Sequence, residues 1–187
     1  MHEEVFNKYS LAGGTALALQ MGHRVSVDLD FFGNHVFDPE DLFQVYSDLG
    51  GYQLLSQGKN ILIVSIKDIK IDVINYRYDL LEPIVEIDGL RLYSLPDIAA
   101  MKLAAVTGRG RKRDFFDLFF LLKKYSLSEI MNFYQRKYPD GSVFLVAKSL
   151  LYFVDADTDE DPIMLADVNW EMIKQKIQEE VASLYNS

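Results

Sequence analysis

The sequence predicts an α+β fold, a sheet half over about residues 1–93 followed by a helical half over about 94–187. Three observations predict it. Short alternating apolar segments separated by glycine turns fill the first half. From Ser94 onward, capping residues open one helix-forming segment after another. No internal repeat or low-complexity tract interrupts either half, so the two halves are expected to form one compact unit.

Tyr9–Ala12 reads as a short strand, Gly13-Gly14 as a turn, and Thr15–Met21 as a helix. Val25–Phe32 alternates strictly, with Val25, Val27, Leu29 and Phe31 on one parity and Arg24, Ser26, Asp28 and Asp30 on the other. That is the pattern of a half-buried strand. Asp38-Pro39-Glu40-Asp41 opens a helix that ends near Gly50-Gly51: an N-cap, a proline in the first turn, then acids at the positive end of the dipole. Tyr52–Gln57 and Ile61–Ile66 flank Gly58-Lys59-Asn60 as a hairpin, and Ile69–Asn75 is a further strand. Ile84–Ile87 and Leu90–Tyr93 flank Asp88-Gly89, a strong two-residue hairpin signal.

In the second half, Ser94-Leu-Pro-Asp97 matches a capping-box pattern opening a helix over Asp97–Thr107. Helices follow over Asp114–Tyr125, from Ser126 to about Tyr138, and over Ser142–Phe153. Asp155–Asp161 is an acidic loop, and Asp167–Tyr185 is a closing amphipathic helix.

Composition narrows the function. The 187 residues are 49% hydrophobic and 25% charged, a globular balance with enough chain for a core. With no cysteine, disulfide scaffolds, thiolate metal sites and cysteine nucleophiles are excluded, as a reducing compartment would favour. The net charge of −9 leaves no broad cationic surface for duplex nucleic acid, so any nucleic-acid contact is local. The first residues lack the basic and apolar regions of a signal peptide, and Val143–Val154 is too short to span a bilayer. A soluble, cytoplasmic protein with no membrane partner is expected.

The chemistry concentrates around Gly13-Gly14-Thr15 and Asp28-Leu29-Asp30. Carboxylates at i and i+2 of a strand project from one face roughly 7 Å apart, a cradle for hard divalent cations. Glycines before a helix let backbone N–H groups approach a phosphate, which the helix N-terminus favours. Taken singly, these are also a half-exposed strand and a capped turn. Asp72 sits in the otherwise apolar run Ile69–Ile74; it is either exposed or paired with Lys70, or it is buried and needs a partner such as a metal. If its strand neighbours Asp28–Phe32, three carboxylates converge on a pair of ions, the arrangement for in-line phosphoryl or nucleotidyl transfer.

The run Gly13-Gly-Thr-Ala-Leu-Ala-Leu-Gln-Met-Gly-His-Arg-Val-Ser-Val-Asp-Leu-Asp-Phe-Phe32 resembles the first motif of the AbiEii/AbiGii-type nucleotidyltransferase toxins, within the polymerase-beta-like nucleotidyltransferase superfamily. Lys102-Leu-Ala-Ala-Val and Arg111-Lys-Arg-Asp114-Phe-Phe-Asp117-Leu resemble its downstream motifs. The resemblance implies a nucleotidyltransferase-like mixed sheet with flanking helices, followed by a C-terminal helical bundle. It implies a magnesium-dependent transferase, with two Mg²⁺ ions and a nucleoside triphosphate as substrate. The acceptor it implies is an RNA (tRNA in some members) or a protein, with an antitoxin as partner. Carried over, Gly13, Gly14 and Thr15 hold the triphosphate, and Asp28, Asp30 and Asp72 hold the metals. Arg24 and Ser26 line the nucleotide site, Lys102 neutralises phosphate charge, and Asp114 is a later essential acid. The helical half then completes the active site over the nucleotide.

Other readings stay open on the residues alone. Lys102 also fits a lysine snorkelling from an apolar helix, and Asp114 and Asp117 fit acids in a first helical turn. Gly108–Arg113, a basic cluster in an acidic chain, is either a solvated loop or a contact to triphosphate or RNA backbone. His2, His23 and His35 form no ligand spacing, and the Phe115-Phe116 and Phe119-Phe120 pairs read as core. Rival functions are a catalytically silent nucleotide- or partner-binding module on the same fold, and a metal-dependent phosphohydrolase.

Overall fold

The computed structural model describes residues 6–186; His2 and the signal-peptide reading of the first residues lie outside the described range. The chain clusters into two compact units. The first is built from Met1–Ala16, Ser26–Asp79 and Pro83–Tyr93, the second from Leu17–Val25, Leu80–Glu82 and Ser94–Ser187. Residues 17–25 and 80–82, which the sequence places in the sheet half, therefore belong with the helical unit.

The first unit carries a seven-stranded mixed sheet in the order β3-β4-β5-β2-β1-β7-β6. Its strands are β1 (Ser10–Ala12), β2 (Leu29–Gly33), β3 (Gln53–Gly58), β4 (Ile61–Ile66), β5 (Ile69–Asn75), β6 (Val85–Ile87) and β7 (Leu90–Leu92). β1 lies antiparallel to β2 and parallel to β7, while β2 lies parallel to β5. The outer pairs are antiparallel hairpins. Helix α1 (Gly13–Met21) leaves directly from β1, and α2 (Pro39–Asp48) follows β2.

One face of the sheet is apolar. On β4, Leu62, Val64 and Ile66 share a parity, as do Ile71 and Val73 on β5, and all five are buried with Tyr9, Leu42 and Tyr46. Leu42 and Tyr46 come from α2, so that helix covers this face, with Leu29 and Phe31 of β2 packed alongside. By the period of two, Asp30 and Asp72 project from the opposite face.

The second unit is helical: α3 (Leu95–Gly108), α4 (Lys112–Leu121), α5 (Leu127–Lys137), α6 (Val143–Leu150), the short α7 (Val154–Asp157) and α8 (Trp170–Asn186). Helix α3 is apolar nearly all round, with Ile98, Ala99, Ala100 and Leu103 buried, because α4, α5 and α6 all pack on it. Phe115 and Phe116 belong to this core, against Trp170 at ring-centroid distances of 5.6 and 5.9 Å.

Helix starts follow the expected caps. Ser126 and Glu129 form a complete capping box at α5. Ser94 caps α3, but Asp97 departs from the box. Its buried carboxylate accepts from Leu81 N, Glu82 N, Ser94 Oγ and Lys137 Nζ instead of Ser94 N.

The strand expected over Val25–Phe32 is shorter than its alternation suggests. β2 begins only at Leu29; Arg24 makes an isolated bridge to Met164, and Val25 and Val27 are exposed. Alternation supplies a face, but a strand also needs a neighbour to bond, and this stretch finds other partners.

Candidate active site

In the first unit, β5 does lie beside β2, and its register sets Asp30 directly against Asp72. Neighbouring strands run about 4.8 Å apart, so the two carboxylates leave the same face side by side. Asp28 lies one residue before β2, held by its backbone. Asp72 is largely buried, and Lys70 reaches over it with Nζ 2.5 Å from Oδ1 and 2.6 Å from Oδ2. The two residues share a face at i and i+2, which is why the lysine can reach. Among the described residues, no group of three or more histidine, aspartate or glutamate side chains is placed to hold a metal ion.

The glycine corner meets the acids. Gly13 adopts φ +67°, and a Cβ built there would fall 2.2 Å from Asp30 Oδ2. Only glycine leaves the space in which the Asp30 carboxylate sits against the start of α1. Thr15, also buried, donates its hydroxyl to the Asp28 carbonyl and lies 2.8 Å from Ser26 Oγ. The donor set is all oxygen, which suits a hard divalent cation such as Mg²⁺. Lys70 would have to withdraw from Asp72 before that carboxylate could join such a set.

In the second unit, the remaining expected site residues form a buried ion network. Asp117 accepts from His23 Nε2 at 2.8 Å and from Arg24 Nε and Nη2 at 2.6 and 3.0 Å. Lys102 Nζ stands 2.5 Å from Asp117 Oδ2 and 3.0 Å from Asp114 Oδ1. Arg109 donates to Asp114 from Nε at 2.9 Å and from Nη2 at 3.1 Å. Burial alone would raise the carboxyl pKa values, but the charges of Lys102 and the arginines, with their hydrogen bonds, hold Asp114 and Asp117 below the ordinary range. Burial likewise opposes the Lys102 ammonium, and the two aspartates outweigh it, so its pKa is raised. Arg24 spends its third nitrogen, Nη1, on the Val25 carbonyl. Lys102, Asp114 and Arg24 thus engage one another's neighbours within the unit.

By sequence, Asp117 fits a first-turn acid and His23 has no ligand spacing. The available signal was Asp114 and Asp117 at i and i+3, with Lys102 on the preceding helix. Three charges on otherwise apolar surfaces must meet something, and they meet each other. His35 is different: its ring packs on Tyr9 at 4.4 Å, in the first unit.

The basic cluster is neutralised within its own unit. Arg111 donates to Asp159 at 2.8 Å, the Lys112 backbone N–H to Asp159 at 3.0 Å, and Lys112 Nζ to Asp161 at 3.0 Å. The acidic stretch read as a loop includes α7 and closes over the start of α4. No helix among the described residues is long and apolar enough to cross a membrane.

Comparison with known proteins shows the family and the fold. The family model described as nucleotidyl transferase AbiEii toxin, type IV toxin–antitoxin system, matches residues 1–183. An uncharacterised protein of Aquifex aeolicus is 36% identical over 183 residues, covering 94% of this chain and 89% of its own length. A Helicobacter pylori crystal structure described as a nucleotidyltransferase superposes with TM-score 0.60 at 22% identity, over 99% of this chain and 93% of that one. MenT4, a nucleotidyltransferase toxin of Mycobacterium tuberculosis, superposes with TM-score 0.58 at 18% identity, over 94% of this chain and 76% of that one. These two structural likenesses speak to the fold.

Proposed function

Because this chain belongs to the AbiEii family of nucleotidyl transferase toxins, we propose that it moves a nucleotide from a nucleoside triphosphate onto a hydroxyl of an RNA, with Asp28, Asp30 and Asp72 as its acidic centre. Family and fold support an enzyme that transfers nucleotides. The observation that carries the finer reading is the register of β2 on β5, which sets Asp30 beside Asp72 at the glycine corner where α1 begins.

The assigned roles follow from the chemistry of each group. Asp28 and Asp30 would hold Mg²⁺ through hard oxygen donors, with Asp72 as the third ligand or base. The cation, when bound, neutralises phosphate charge and makes the acceptor hydroxyl more acidic. Backbone N–H groups in the first turn of α1, from Gly14 and Thr15, have no intrahelical acceptor and bind the triphosphate, favoured by the dipole. The acceptor oxygen attacks the α-phosphorus in line, and the new P–O bond forms as the bond to the β-phosphate oxygen breaks. Pyrophosphate leaves with the electron pair, and the hydroxyl proton passes to Asp72, which Lys70 must first release. Lys102, Asp114 and Arg24 serve through the buried network of their own unit, where they fix the chain around His23 and Arg24. An antitoxin is the partner protein that the family type implies, and we place the reaction in the cytoplasm, where triphosphates and RNA meet.

Sequencing RNA 3′ ends from cells expressing the wild-type chain or Asp30→Asn tests the RNA acceptor. The expected result is untemplated nucleotides with wild type only. Unchanged RNA ends beside nucleotide-labelled protein would move the acceptor to protein, and free nucleotide without any acceptor-linked product would replace transfer by hydrolysis.

A further inference from the structure

The resemblance places Thr15 at the triphosphate and Ser26 along the nucleotide site, and the proton inventory of the two hydroxyls points to another role for their side chains. A hydroxyl has one proton and two lone pairs. The Asp28 carbonyl can only accept, so the single proton of Thr15 is committed to it. The 2.8 Å contact between Thr15 Oγ1 and Ser26 Oγ then requires Ser26 to be the donor. Both protons are spent in one direction, Ser26 to Thr15 to the Asp28 carbonyl. Triphosphate oxygens are acceptors, and neither hydroxyl has a proton left for them.

The relay ends where the backbone needs it. Residues 25–28 precede β2, and the Thr15 hydroxyl ties the backbone there, at Asp28, to α1. A part-buried carbonyl left without a donor is costly, and here α1 supplies the donor through a side chain. We propose that the Thr15 and Ser26 hydroxyls have a positioning role: they clamp the backbone that carries Asp28 into β2, and so fix the Asp28 carboxylate relative to Asp30, without themselves touching the nucleotide. This deepens, and rests on, the assignment of Asp28 and Asp30 as the acidic centre.

Three variants of the full chain test it: Thr15→Val, which keeps the shape and removes the relay; Thr15→Ser, which keeps the hydroxyl; and Ser26→Ala, which removes only the first link. Thr15→Val is expected to lower kcat by about tenfold or more, with KM for the triphosphate within about twofold, because misplacing a catalytic group costs turnover and leaves binding intact. Thr15→Ser restores kcat, and Ser26→Ala falls between, since the bond to Asp28 survives. A raised KM at unchanged kcat in Thr15→Val would overturn the proposal and make the hydroxyl a triphosphate ligand. Amide hydrogen exchange provides a readout independent of turnover. Faster exchange at residues 26–30 in Thr15→Val, restored in Thr15→Ser, is the expected result even if the wild type transfers nothing, and unchanged exchange would overturn the clamp.

Discussion

A methyl group at residue 13 is a sharp probe of the acidic centre. Gly13→Ala places carbon where Asp30 Oδ2 sits and forces a left-handed backbone on alanine, at about 1–2 kcal/mol for the backbone. The carboxylate is the end of a short side chain and can swing away, so the chain stays folded while Asp30 is displaced. Nucleotide transfer should then fall nearly as far as in Asp30→Asn, with only a modest drop in Tm. The buried network gives a second prediction. Asp117→Asn leaves Lys102 and Arg24 without their shared counter-charge, a loss of about 3–5 kcal/mol measurable by urea unfolding. Its pH dependence has a definite sign. Asp114 and Asp117 are held below their unfolded values, so their contribution is complete above about pH 4 and is lost as the pH falls through their lowered folded values. Lys102 is held above its unfolded value, so its share is complete below about pH 10 and is lost as the pH rises through its folded value. Urea midpoints measured between acid and neutral pH should therefore fall less steeply on acidification in Asp117→Asn than in wild type. A variant as acid-sensitive as wild type would contradict the network.

Elements show what the sequence could and could not disclose. Ile61–Ile66 and Ile69–Asn75 were legible to the residue, because each alternates against a face that is in fact buried under α2. Val25–Asp28 alternates as well as either and forms no strand. Its potential ladder partners are replaced by the Ile163 carbonyl, which accepts from Val25 N, and by the Thr15 hydroxyl, which donates to the Asp28 carbonyl. Those contacts are distant in sequence, and no local pattern records them. Helix starts were visible through Ser94, Ser126 and Ser142, each accepting from a backbone N–H three residues on. The second role of Asp97 was hidden, since its partners come from residues 81, 82 and 137. Ser94→Ala removes both the cap and the hydroxyl that donates to Asp97 Oδ2 at 2.6 Å, and should cost about 1–2 kcal/mol in urea unfolding. On the apolar face of the sheet, the Tyr9 and Tyr46 hydroxyls are buried with no partner among the described residues. Burial, with Asp41 nearby, pushes the Tyr9 phenol up to about 12. Tyr46→Phe removes an unpaired polar atom, and is expected to be neutral or to stabilise by up to about 1 kcal/mol; a clear loss of stability would mean that this hydroxyl is satisfied in solution.

At the scale of the whole chain, the family was legible because its first motif is nearly continuous in sequence and its glycines and acids meet in one corner of one sheet. The acidic centre was legible in part. The pairing of Asp30 with Asp72 follows from strand neighbourhood, whereas the hold of Lys70 on Asp72 and the burial of Lys102 depend on packing that composition does not encode. The most direct measurement supplies the purified chain with Mg²⁺, total cellular RNA and protein, and each nucleoside triphosphate in turn, labelled at the α-phosphate. For at least one triphosphate, acceptor-bound label should accumulate with wild type and stay at background with Asp30→Asn. Equal labelling by the two proteins, or none by wild type with any triphosphate, would contradict an acidic centre that transfers nucleotides.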